Sequence, residues 1–434
     1  MHKVIMAAFA SMMGSALSTA GGQDHDVASR SAQDTFSEDG AWCWFQNPRA
    51  VYVEGRYKRT YAQWMTRGGT LEIGAYDHDT GEILTHTLKQ DWGSDDHNVG
   101  SFLVLPDRRL MVFYATHGSR GLYCRVSRQP ESITDWDDEV TVVGGDGVTY
   151  SHPVYLSEEG RFYVFWRGKS WKPTFSTSLD GKTWTEPRIL IQQEDRDGRG
   201  VRPYLCVASD GKSSIHFAFT NGHPRDEPQN SLYYFMYRKG SLYQADGSKV
   251  GTMHSLPIQH SESGLVYDAK VEGARAWVWD IALDEDGLPV IAYTRLPVES
   301  DHRYCYARWT GEAWMDTEFT PGGSWFPQTP AGQTEPEPHY SGGMAIDHAN
   351  PSAVYISRPI DDVFEIEKWS TPDKGTTWRP QPVTVRSDAP NVRPVVPRGY
   401  RGPQDHVLWM RGGYTHYTNY RTGIEILLRP REGD

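Results

Sequence analysis

A tight polar turn joined to a short aromatic-rich strand recurs about seven times along this chain. It reads LVLPDRRLMVFYATHG at 103–118 and VYLSEEGRFYVFWRG at 154–168. It returns as LCVASDGKSSIHFAFTNG at 205–222 and IALDEDGLPVIAYTR at 281–295. Looser copies lie at 344–358 and 396–412, and a first copy at 49–68. Intervals of roughly 50 to 75 residues suit one four-stranded propeller blade with its loops. The 434 residues exceed what a single ordinary core serves. A closed ring removes that limit, because each blade packs only on its neighbours. The pattern predicts an all-β fold, a seven-bladed β-propeller in one domain over 41–434.

Composition agrees. Aromatic residues make up 12 % of the chain, Gly and Pro number 42 and 27, and no long stretch keeps a helical period. Residues 1–20, MHKVIMAAFASMMGSALSTA, have one early Lys, an apolar middle and a small-residue end. That reads as a secretory signal cleaved before Gly21, so the mature chain is expected to be secreted or periplasmic. Residues 21–40 are polar and read as a flexible lead-in. No later stretch is apolar enough to span a bilayer. Cys43, Cys124, Cys206 and Cys305 are scattered without CxxC spacing and are expected as buried thiols, with one disulfide or a metal ligand as the alternatives. The net charge of −12 argues against nucleic acid as a partner. If the partner is an acidic polymer, the basic groups must be gathered in one cleft. A monomer without a membrane span is expected.

Two segments, 176–184 and 370–378, carry an Asp, a Gly and a Trp at Asp-box spacing. The Asp bonds turn backbone, the Gly permits positive φ and the Trp packs beneath, so these are folding devices. Long loops at 224–275 and 322–338 are expected on the faces of the ring, where sites form.

Chemistry is expected where polar groups punctuate the apolar strands. Successive blades offer SDDHN before the second inner strand, YATHG after its partner, TYSHP entering the third blade, FWRG leaving it, and VRPY entering the fourth. Equivalent ends of inner strands line one funnel around a propeller axis. His97, Tyr150 and Tyr204 therefore share a rim, with Arg167 reaching it from the adjoining strand. The set holds an imidazole, phenols and guanidiniums but no carboxylate pair of the kind glycoside hydrolysis needs. It suits removal of a proton from carbon beside a carboxylate, Arg stabilising the enolate and His or Tyr moving the proton.

At these residues the chain resembles the BNR-repeat family that includes the seven-bladed propeller ulvan lyases. The stretches that carry the likeness include DDHN at 95–98, FYATHG at 113–118, TYSHPVYLS at 149–157, FWRGKSWKPTFSTS at 165–178, RPYLCVASDG at 202–211 and HYSGGMAIDHANP at 339–351. The resemblance implies β-elimination of a uronate-containing sulfated polysaccharide, ulvan first, leaving an unsaturated sugar. It implies catalytic roles for His97, Tyr150 and Arg167, with the order of acid and base open. It implies substrate contacts at Asn98, His117, Arg202 and Tyr204. His152 stands where a small polar residue is expected in TYSxP. The resemblance also implies a structural zinc, for which His223, His302 and Cys305 are the matching residues; a calcium ion is a further expectation without a location. Two other functions fit parts of the pattern. A non-catalytic carbohydrate-binding propeller would keep the aromatics, and a sialidase-like glycoside hydrolase would share the Asp boxes but needs an early Arg-Ile-Pro strand that is missing.

Overall fold

The computed structural model describes residues 32–193, 201–327, 329–330 and 332–430. The signal segment expected at 1–20 lies outside them. Each recurring phrase is the inner hairpin of one blade. The seven hairpins pair 50–54 with 58–65, 101–104 with 110–114, 149–156 with 161–167, 204–209 with 214–220, 275–283 with 289–298, 344–346 with 353–360, and 391–395 with 404–416. Third and fourth strands complete each blade, and the fold is the seven-bladed propeller that the repeats predict.

The ring closes with strands from both ends of the chain. Ala32–Ser37 pairs with Asn419–Pro430 and forms the outer strand of the last blade. The expectation of a flexible lead-in over 21–40 is thus corrected for its described part: pairing satisfies backbone groups that would otherwise be an open edge. Blades two and three share one continuous strand, Val140–Leu156. Its first half pairs with Ser119–Val126 and its second with Arg161–Arg167. Gly145 and Gly147 have φ of 143° and 81° at the changeover, a region open to Gly at no steric cost.

Both Asp boxes are turns. Asp180 accepts from the Lys182 and Thr183 amides at 2.8 and 2.7 Å, and Asp373 from Thr377 at 2.7 Å. They join outer strands of blades three and six, away from the axis. The insertion at 224–275 adds the strand Gly264–Tyr267 to blade four and a hairpin, 241–252, beyond it. All four cysteines are buried and unpaired. No helix among the described residues is long and apolar enough to cross a membrane.

The axis is filled by a segment with no strand signal. Trp42, Cys43, Trp44 and Phe45 are each at most 2 % exposed. Trp44 stacks on Trp279 at 4.3 Å and meets Trp277 edge-on at 4.9 Å. Phe45 lies against Tyr204 at 4.7 Å and Tyr150 at 5.1 Å. The inner strands of a propeller surround a central channel, and large rings from one chain segment fill it and exclude water. The plug leaves one end of the axis to the site described next.

Candidate active site

The imidazoles of His97 and His117 stack face to face, with centroids 4.2 Å apart and planes 8° apart. His97 sits in a short 3-10 turn, Asp96–Asn98, capped by the Asp95 side chain. Asp95 bridges both rings, Oδ1 to His97 Nδ1 at 2.8 Å and Oδ2 to His117 Nδ1 at 3.1 Å. An oxygen of Asp96 also lies 2.8 Å from His97 Nδ1. Two carboxylates thus face one edge of His97. Burial alone would lower the His97 pKa; the acidic groups around it, of which the Asp96 and Asp95 carboxylates carry charge at neutral pH, more than reverse this and hold it well above the ordinary value. Burial and repulsion from His97 instead lower His117 to about 4. At neutral pH the stack therefore carries one imidazolium and one neutral imidazole, whose Nδ1–H donates to Asp95 and whose Nε2 is left as a base. Burial would raise Asp95, but its bonds to the two imidazoles hold it well below the usual carboxylate range.

Tyr150 is placed by a backbone irregularity. The register between Val140–Leu156 and its partner slips between Phe165 and Arg167, and Tyr150 has φ of 65°. A bulge of this kind re-aims a side chain out of the sheet. The phenol ring turns toward the axis, 5.7 Å from His97, with the Arg167 guanidinium 4.5 Å over its face. Burial raises the Tyr150 pKa, so the phenol keeps its proton at neutral pH. Arg167 is 5 % exposed and donates from Nη1 to the Tyr204 hydroxyl at 3.0 Å. Its Nε and Nη2 are buried without a partner. A buried guanidinium with two unfilled donors is costly unless a ligand meets them.

The other expected residues fall into two groups. Tyr204 belongs to the cluster. Asn98 is buried and acts through its neighbours: its side chain donates to the Trp92 and Gly93 carbonyls and accepts from the His117 amide at 2.7 Å. It positions His117 and has no free edge for substrate. Arg202 lies on the rim, paired with Asp226 at 2.5 Å. Arg225 bonds Asp226 and Glu337, and Arg275 approaches His339, so the acidic chain does collect guanidiniums beside His223.

The three residues matched to zinc are not gathered at one point. Among the described residues, the groups whose ligand atoms converge are Cys43–Asp96–His97 and Asp95–His97–His117. His302 has its Nδ1 on Ser341 at 2.8 Å and its Nε2 against the Pro338 and Glu299 carbonyls. Cys305 follows three positions along the same strand, where side chains alternate between faces. Its thiol faces the Arg303 carbonyl at 3.8 Å. His223 packs on Trp277 at 4.5 Å, with Glu337 at 3.8 Å from Nε2. As arranged, these residues do not fit one tetrahedral zinc centre.

Four contributors carried no separate signal in the sequence. Tyr417, from the last blade, stands edge-on to His97 at 4.8 Å. Glu337, from the loop at 322–338, is a buried carboxylate whose pKa burial raises. Trp171 is 39 % exposed beneath Arg167, with the guanidinium 5.0 Å over its ring. Arg393 is fully buried and pairs with Asp96 and with the Trp42 carbonyl at 2.7 Å. Only KSW, directly after FWRG, could have drawn attention to Trp171.

Asp95→Asn tests the bridge. It removes a carboxylate shared by both rings, so both imidazole pKa values fall. If turnover needs the His97 charge, the alkaline limb of the pH–rate profile moves toward acid, and kcat/KM drops by about 10²- to 10⁴-fold. A profile of unchanged shape contradicts that role.

A polysaccharide lyase, Uly1, superposes with a TM-score of 0.57 at 12 % identity, over 91 % of this chain and 97 % of that one. An α-L-arabinanase from Penicillium chrysogenum aligns at 0.44 and 11 %, covering 92 % and 98 %. An α-L-arabinofuranosidase from Fusarium graminearum aligns at 0.42 and 10 %, covering 91 % and 98 %. At such identities the likeness is one of fold. No curated protein matches the chain. Residues 59–321 match the BNR repeat-containing family, so more than half of the chain carries that family's pattern and the protein belongs to it.

Proposed function

We propose that the protein is a polysaccharide lyase that cleaves a uronate-containing sulfated polysaccharide of the ulvan type by β-elimination. The observation that carries this reading is the buried Arg167 guanidinium, with two unfilled donors, beside a phenol and a charge-partitioned imidazole pair. A uronate carboxylate meets Arg167, and the His97 imidazolium adds a second positive charge where the enolate forms. Neutral His117 takes the proton from the carbon next to the carboxylate. That electron pair forms the new carbon–carbon double bond as the bond to the glycosidic oxygen breaks, and Tyr150 donates its proton to the departing oxygen. Water then resets both groups. Asp95 orients the pair, and Tyr204 holds Arg167. The exposed ring of Trp171 offers a sugar-stacking surface at the mouth. The lyase that shares the fold supports the reading at the level of architecture. The first twenty residues support export to where such a polymer is met.

The test is incubation of the purified, folded protein with ulvan, and separately with glycosaminoglycans and pectate, while following ultraviolet absorbance of the conjugated double bond. A rise with ulvan is expected. No rise with any uronate polymer rejects the reading.

A further inference from the structure

The far end of the axis holds ionisable groups that this chemistry does not use. Inner strands run the same way through the ring: Tyr204 opens its strand at the catalytic end, whereas Ser209, Leu283, Ile346 and Val395 close theirs at the other. The turns that follow ring the opposite face, and the Trp44–Phe45 plug separates the two ends.

Behind the plug, Asp280 accepts from the Ile281 and Ile346 amides at 2.9 and 3.1 Å, and His348 Nε2 lies 3.2 Å from both of its oxygens. The carboxylate is largely filled. Arg398 donates to it only at 3.5 Å, and to the Val207 carbonyl at 3.4 Å. Both are long for charge-assisted bonds, which run near 2.7–2.9 Å. Arg49, 4 % exposed, donates to the Cys43 carbonyl and has no partner on Nε. His152, 2 % exposed, hydrogen-bonds the Leu205 backbone and leaves Nδ1 without a partner. Burial, then repulsion from Arg398 and Arg49, lowers His152 to about 3, so Nδ1 is an unfilled acceptor. Two guanidiniums here share one occupied carboxylate, an arrangement that calls for an anion.

A cavity of ≈ 350 Å³ opens on Arg398 and His152. It has no carboxylate in its lining; Asn47 and Ser209 add neutral polar groups, and Phe102 and Val207 apolar wall. That volume is at the small end for ligand sites. We propose that this cavity binds a small hydroxy-carboxylate of monosaccharide size, its carboxylate on the Arg398 guanidinium and its ring beside His152. The site lies on the face opposite the imidazole pair and stands whether or not the chain is a lyase.

Calorimetric titration of the full chain with glucuronate, acetate and glucose at constant ionic strength tests it. Saturable glucuronate binding near the millimolar range is expected, with acetate at least about tenfold weaker and glucose silent. Arg398→Gln weakens glucuronate by about tenfold or more. Should Arg398→Gln fail to fold, imidazole nitrogen spectra of the native protein decide the matter. Glucuronate shifts His152 if the proposal holds. Absence of saturable binding, or shifts confined to His97 and His117, overturns it.

Discussion

A Tyr150→Phe protein is expected to lose at least about 10²-fold in kcat on a uronate polymer while its melting temperature stays within a few degrees. In the proposed β-elimination the hydroxyl protonates the departing oxygen, so its removal is felt in the chemical step and not in binding. The ring is what the fold uses: it touches Phe45 at 5.1 Å, Tyr204 at 5.9 Å and the Arg167 guanidinium at 4.5 Å, and Phe preserves those contacts. Steady-state kinetics with thermal denaturation checks this. A rate within a few-fold of native removes Tyr150 from the mechanism. A large fall in melting temperature assigns it to the scaffold.

Arg393→Met is expected to give the largest loss of stability, about 3–5 kcal/mol, read as a shift in the denaturant midpoint. Arg393 is fully buried, with the Trp44, Phe326, Tyr340 and Tyr414 rings 4.9 to 5.4 Å from its guanidinium carbon. It neutralises Asp96, which is also buried, and Tyr414 donates to the same carboxylate at 2.7 Å. Removing the cation strands a charge in a site walled by aromatics. Met fills similar volume, so the loss reports charge more than cavity. Adding Asp96→Asn should recover part of it, because the amide needs no counter-charge. A single variant as stable as the native chain shows that Asp96 is satisfied by Tyr414 and His97 alone. Activity falls as well, since Asp96 flanks His97.

The inner hairpins were legible because their signal is local. Alternating apolar residues around a DG or EEG turn fold the same way wherever they lie, and seven such units at blade spacing admit few other architectures. His97, His117, Tyr150, Arg167 and Tyr204 were legible as breaks in that pattern, and the structure brings these five together. Arg393 was not: RPVV reads as an ordinary strand, and its partner Asp96 is 297 positions away. Nor was the axial plug, since AWCWFQNP has neither strand period nor turn spacing. The side chains of Asn98 and Arg202 are committed to the His117 amide and to Asp226, pairings that no local pattern announces. The residues matched to zinc do not converge in the folded chain. His302 and Cys305 are near in sequence, but a strand points them to opposite faces.

The amino-acid sequence by itself determined the repeat, the blade count and which strand ends are polar, because turn chemistry and period-two burial act over a few residues. Only the tertiary structure decided which polar groups share a proton and which stand alone. Asp95 between two stacked imidazoles, Arg167 with two open donors, and Arg398 at the far end of the axis depend on ring closure. Closure sets both distance and desolvation, and these decide what a charge does.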